Sequence, residues 1–172
     1  LVYSAASSFN CDGTPLSASG YTNDPSGEPV IPPHNFEDGW CTNCGQMDEN
    51  FMTPVDGWFE ISDGAPLAWW SRYAAEHTDA CVKLTEDIDM DAYMERFVPV
   101  EMYVGTFDGQ GHTISNFVIN STGNNQGLIG SVIDGAVVKN VILDESCSLY
   151  AANYAGVIGA TSGGGTIYVT NV

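Results

Sequence analysis

Positive charge is what this sequence has least of. Its 172 residues carry 4 Lys plus Arg against 22 Asp plus Glu, a formal net charge of −18. A field of that sign repels nucleic acid and anionic membranes, which excludes both as partners. An acidic polysaccharide would need cationic contacts, and only Arg72, Lys83, Arg96 and Lys139 supply them. Long apolar runs are missing too. None approaches the ~20 residues that span a bilayer, so no membrane insertion is expected. Catalytic signatures are also lacking: there is no Gly-x-Ser-x-Gly, no His-Glu-x-x-His and no phosphate loop. Carboxylates are plentiful, but a chain this acidic pairs them by composition alone, and no enzyme is expected.

What is there suits a folded domain. Hydrophobic residues make up 44 % and aromatics 11 %, enough for a core and against disorder. Residues 1–55 are irregular, holding most of the prolines and many Ser, Gly and Asn. Within them Leu1 to Phe9 reads as an extended strand, and residues 24–33 read as a polyproline-like spacer. A second region runs from 56 to 172. Trp58, Phe59 and Ile61 suggest a short strand. Ser62 or Asp63 then caps a helix starting near Ala65, with Leu67, Trp70, Ala74 and His77 along one stripe. From Ala80 onward, short Val- and Ile-rich stretches alternate with Gly, Asn, Asp and Ser, an all-β pattern.

The β region repeats. Gly127-Leu-Ile-Gly130 is echoed by Gly156-Val-Ile-Gly159, and the stretch around Asn140 by the stretch around Asn171. Gly111, Ile114, Asn116 and Val118 also align with Gly135, Val138, Asn140 and Ile142. That alignment predicts Ile114, Val138 and Ile167 in a single column. A repeat of roughly 24–31 residues built from short strands and turns is the signature of a parallel β-helix, or solenoid. Strands of successive coils pair about 4.8 Å apart, and alternate side chains fill the shaft. Recurring Asn and Gly then serve the corners, and Asp108 is a turn-former. The helix carrying Leu67, Trp69, Trp70 and Tyr73 suits a plug over the end of the shaft.

The stretches FDGQGHTISNFVI, QGLIGSVIDGAVVKNVIL and AGVIGATSGGGTI resemble the GLUG-motif proteins, named for a Gly-Leu-aromatic-Gly pattern. Ile129 and Ile158 stand where that pattern has its aromatic. GWFEISDGAPLAWWSRYA followed by KLTEDIDM resembles the segment that precedes such repeats in bacterial surface proteins. The resemblance covers about residues 56–172. It implies a short right-handed β-helix in a secreted or cell-surface protein, and no catalytic residue.

Five cysteines stand at 11, 41, 44, 81 and 147. Cys41-x-x-Cys44-Gly45 has the shape of a zinc knuckle, in which the glycine lets backbone amides turn toward the thiolates. Cys11 and His34 complete a Cys3His set. The pattern from His34 to Gly45 resembles small cysteine-histidine modules found beside repeats in bacterial surface proteins. A disulfide between two of Cys11, Cys41 and Cys44, or unpaired thiols, are the alternatives. Asp87, Asp89 and Asp91 alternate along an extended stretch and form a weaker Ca²⁺ candidate. They do not make an EF-hand, since Ala92 and Val98 replace the required Gly and Glu. The plainer reading is a solvated face, with Leu84, Ile88 and Met90 pointing inward.

The expected function is a non-enzymatic structural or adhesion module of an extracellular or bacterial cell-surface protein. Its partners would be other surface proteins, glycans or copies of itself. One alternative is a self-assembling filament subunit that pairs through exposed strand edges. Another is a glycan-binding or carbohydrate-active β-helix domain with Trp58, Trp69 or Trp70 as stacking platforms.

Overall fold

The computed structural model describes residues 33–161, 166 and 168–172. Cys11, the strand expected at Leu1 to Phe9, nearly all of the 24–33 spacer, and Ile167 lie outside the described residues. The chain divides into two compact units between Phe51 and Met52. The first contains β1 (Phe36–Glu37) and β2 (Trp40–Cys41), an antiparallel pair.

The second unit is mainly β, with many short parallel strands and a single α-helix among its described residues. It begins with β3 (Trp58–Ile61), α1 (Gly64–Tyr73), β4 (Cys81–Leu84), β5 (Ile88–Asp89) and β6 (Thr106–Asp108). Next come β7 (Thr113–Ser115), β8 (Val118–Asn120), β9 (Asn124–Gln126), β10 (Ile129–Val132) and β11 (Val137–Lys139). Then follow β12 (Ile142–Leu143), β13 (Ser148–Tyr150), β14 (Asn153–Ala155), β15 (Ile158–Thr161) and β16 (Tyr168–Thr170). The strands sort into small open sheets. The largest has five parallel strands in the order β16-β11-β6-β4-β3, and another has three, β12-β7-β5. The remaining parallel pairs are β13-β8, β14-β9 and β10-β15.

Register explains the core. In the five-stranded sheet Phe59 pairs with Val82, Val82 with Phe107, Phe107 with Val138 and Val138 with Val169. Residues one apart point to opposite faces of a strand, so this set lines one face. Val82, Phe107 and Val138 are completely buried, whereas Val169, on the last strand, is 47 % exposed. Ile88, Ile114 and Leu143 form a second column, and Ile119 and Leu149 a third. Leu84, Ile88 and Met90 are buried, and the acids between them point outward as expected.

The repeat anchored on glycine holds: Ile129 pairs with Ile158, and Val138 with Val169. The alignment of Gly111–Ile119 with Gly135–Leu143 does not. Ile114 lies against Ile88 and Leu143 in one sheet, and Val138 lies against Phe107 and Val169 in another. The cause is a corner motif that recurs at more than one corner. Asn116, Asn140 and Asn171 all adopt left-handed backbone, at φ 54°, 54° and 53°. Asn tolerates that conformation better than most residues. Asn140 and Asn171 share a corner: Asn171 Nδ2 donates to Asn140 Oδ1 at 2.9 Å, and Asn140 Nδ2 donates to Asp108 Oδ1 at 3.0 Å. Asn116 serves a different corner and donates to Asp89 Oδ1 at 2.9 Å.

Helix α1 begins where the sequence places its cap. The Asp63 carboxylate accepts from the Gly64 amide, and Pro66 falls in the first turn. The helix buries two faces, not one stripe. Trp69 stacks on Tyr73 and tilts against Phe59, while Trp70 meets Tyr103 and Phe107 edge-on. Trp69 and Trp70 are both fully buried, as are Leu67 and Ala74, but His77 at the far end is exposed.

The Asp108 carboxylate, nearly buried, ends the Asn140 ladder. It also accepts from the Gln110 amide and side chain and pairs with Lys139 Nζ at 3.1 Å. Burial raises its pKa, but the hydrogen bonds from Asn140, Gln110 and Lys139 outweigh this and hold it below the ordinary value. A carboxyl group whose folded pKa is depressed contributes stability above its unfolded pKa and loses it as pH falls through the folded one. Unfolding temperature should therefore decline from about pH 5 downward. Asp108→Asn should flatten that decline relative to the parent chain in parallel thermal melts.

Candidate metal centre

The first unit is built around a tight hairpin. Asp38 and Gly39 both have positive φ, 51° and 82°, the geometry of a two-residue primed turn with an Asp-Gly sequence. Gly39 is required twice over, because a Cβ there would sit 2.7 Å from the Phe51 ring. The hairpin sets Phe36 opposite Cys41 and Glu37 opposite Trp40. Trp40 and Cys41 are buried, so β2 supplies the buried apolar side chains among the described residues of this unit.

The chain then folds back on itself. The Gly45 amide donates to the Cys41 carbonyl at 2.8 Å with Gly45 at φ 74°, which closes a loop over Thr42, Asn43 and Cys44. The Cys41 amide donates to Gln46 O at 2.8 Å and the Thr42 amide to Asn35 O at 2.9 Å. The second contact ties this loop to the residue after His34. The His34 ring stacks on Phe36 with centroids 5.2 Å apart. As a result, ligand atoms of His34, Cys41 and Cys44 all lie within 4.8 Å of one another, and Cys44 Sγ is 3.6 Å from His34 Nδ1. Cys41 is buried and the other two are half-buried. Two sulfurs and an imidazole nitrogen so placed can hold a metal ion.

Among the described residues this is the one such group of three or more His, Cys, Asp or Glu. Of the four residues expected at a zinc site, the structure brings three together, and Cys11 lies outside the described residues. Asp87, Asp89 and Asp91 do not converge in this way. Asp87 accepts from the Thr113 amide at 2.8 Å and lies 3.4 Å from His112 Nδ1. Asp89 accepts from the Asp91 amide and from Asn116. Those hydrogen bonds keep the Asp89 pKa low, the backbone one first. These carboxylates tie turns and neighbouring strands together. Cys81 and Cys147 are half-buried free thiols in the second unit.

Trp69 and Trp70 are core residues, so they present no face to a sugar. Sequence reasoning missed two polar ties. Asp108 is more than a turn-former, because it also terminates the amide ladder. Buried Ser131 donates to Glu101 and accepts from the Met102 amide. The 31-residue separation of Asn140 and Asn171 hinted at the ladder, but nothing local marked Ser131.

No described helix is long and apolar enough to cross a membrane. No family model matches this chain, and no solved structure does. The chain is 35 % identical over 97 residues to Halomucin of Haloquadratum walsbyi (strain DSM 16790 / HBSQ001). The match takes in 48 % of this chain and 1 % of that much longer protein.

Proposed function

We propose that this chain is a non-enzymatic structural or adhesion module of an extracellular or cell-surface protein. In this reading the second unit winds as a short right-handed parallel β-helix of the GLUG type, with α1 as its cap. The observation that carries the winding is the register: Phe59, Val82, Phe107, Val138 and Val169 pair in succession, each on a later strand of one parallel sheet. The net charge of −18 and the similarity to a protein named as a mucin support the surface role. The test is labelling of intact cells of the source organism with an antibody to this chain. Signal on unbroken cells is expected. Signal that appears only after lysis overturns the surface assignment.

Assembly into filaments is a second reading, and one observation favours it. Among the described residues strand β16 pairs with β11 along one edge only, and its Tyr168 and Val169 are 58 % and 47 % exposed. An unpaired edge with apolar side chains is a template for another strand. A strictly monomeric elution at high concentration would count against it.

The charge makes its own prediction. Exposed carboxylates repel one another less as salt shortens the screening length from ~10 Å at 0.1 M to ~3 Å at 1 M. The unfolding temperature should therefore rise across that range of KCl. A flat or falling profile would mean that self-repulsion is no major cost to this fold.

A further inference from the structure

We propose that His34, Cys41 and Cys44 bind a tetrahedral, sulfur-preferring divalent ion of the zinc class, and that this ion orders the β1–β2 hairpin and its knuckle. The inference is independent of the surface role proposed above. Zn–S and Zn–N bonds of about 2.3 and 2.0–2.1 Å at tetrahedral angles put sulfur and nitrogen about 3.6 Å apart. Cys44 Sγ and His34 Nδ1 are separated by 3.6 Å. The group is therefore spaced as one edge of a zinc tetrahedron. Its full spread, within 4.8 Å, needs only a small closure of the third ligand onto the ion.

Ligand chemistry narrows the ion. Two thiolates and an imidazole disfavour Ca²⁺ and Mg²⁺, which take oxygen. Two thiolates also neutralise a divalent charge, so the site adds no charge where Cys41 is buried. The local need is clear as well. Among the described residues of the first unit, Pro33 to Phe51, the buried apolar side chains are Trp40 and Cys41. Segments so poorly supplied are commonly held by a metal or a disulfide. Binding then carries folding energy, because the three donors assemble only when the hairpin forms.

The fold brings the ligands together by separate routes. The Asp38-Gly39 turn returns β2 alongside β1. Gly45 turns the chain after Cys44. The pair made by the Thr42 amide and Asn35 O holds the His34 end against the knuckle.

The experiment uses the full chain, purified under reducing conditions and stripped with a chelator, with Co²⁺ as the probe. One Co²⁺ per chain should bind with a thiolate-to-metal charge-transfer band and the strong visible bands of a tetrahedral centre, and Zn²⁺ should displace it. Tryptophan fluorescence should change with the same stoichiometry as the hairpin orders around Trp40. His34→Ala and Cys41→Ser should each weaken Co²⁺ binding more than about 100-fold, beyond the range typical of outer-sphere changes. Cys81→Ser and Cys147→Ser should leave it unchanged. The thermal transition of the second unit serves as an internal check that the variants still fold. Octahedral Co²⁺ spectra, or binding unaffected by His34→Ala, overturn the proposal. So does a mass measured under non-reducing, denaturing conditions that shows Cys41 or Cys44 disulfide-bonded in a native, metal-free chain. None of these results bears on whether antibody reaches the protein on intact cells.

Discussion

Truncating Trp70 to Ala should remove roughly 3–5 kcal/mol of stability, the range for deleting a large buried aromatic side chain. Trp70 is fully buried, with ring centroids 5.7 Å from Tyr103 and 5.4 Å from Phe107. Phe107 stands in the middle of the five-stranded sheet, between Val82 and Val138. The cavity would therefore open where α1 meets the central strands, and the sheet cannot collapse into it without breaking register. At about 2–4 °C per kcal/mol for a chain of this size, melting should fall by roughly 6–20 °C. Trp70→Phe should cost far less. The indole Nε1 is buried with no hydrogen-bond acceptor among the described residues, and an unpaired donor already carries a desolvation penalty of about 1–3 kcal/mol. Removing it offsets part of the lost volume. Equal losses for Ala and Phe in urea unfolding would mean that α1 is held by something other than this contact.

Gly127→Val should produce the second large loss. A Cβ at position 127 would collide with the carbonyl oxygen of Gly156 and crowd that of Val157 at 3.1 Å. Both obstacles are backbone, so no side-chain rotation relieves them. The chain would have to part where the Gly156 amide donates to Gln126 O and the Ile129 amide to Val157 O. Overpacking of this kind costs about 1–3 kcal/mol, and more where backbone must shift. Gly123→Ala is the control. Its Cβ would meet the ends of the Ser121 and Gln126 side chains at 3.1 and 3.2 Å, and these can move. A loss of hydrogen-exchange protection confined to β10 and β15 would place the damage where the collision predicts.

These two residues also mark what sequence could and could not reveal. Gly127 was legible because a pair of glycines three apart recurs, and a Cβ is forbidden there for a reason that acts across the repeat. Helix α1 was legible from its Asp63 cap and apolar spacing. The reading of the helix as a plug put both Trp69 and Trp70 on its apolar face. Their division between two sets of neighbours was not expected, because a single-stripe pattern has no place for adjacent core residues. The column containing Val138 was misassigned because Asn116 and Asn140 follow strand residues in the same way and turn with the same left-handed backbone. A local motif that serves several corners cannot say which corner it occupies. Only a pairing across the repeat decides that. At the group of His34, Cys41 and Cys44, the Cys-x-x-Cys-Gly turn and His34 were readable from spacing, whereas the Asp38-Gly39 hairpin beside them was not read from the sequence.

The amide ladder that Asp108 terminates has a direction, so its members are unequally sensitive to deamidation. Asn140 and Asn171 each donate from the NH2 group to the earlier member, and the Asn140 oxygen accepts from the later one. Spontaneous deamidation converts Asn to a carboxylate, which cannot donate. At Asn140 the product would set two anions face to face, at a position where the first is already held by Lys139. At Asn171 it would lose one donor toward a neutral oxygen. The same chemical lesion is thus harsher at Asn140, which lies between two partners, than at Asn171, the outer member.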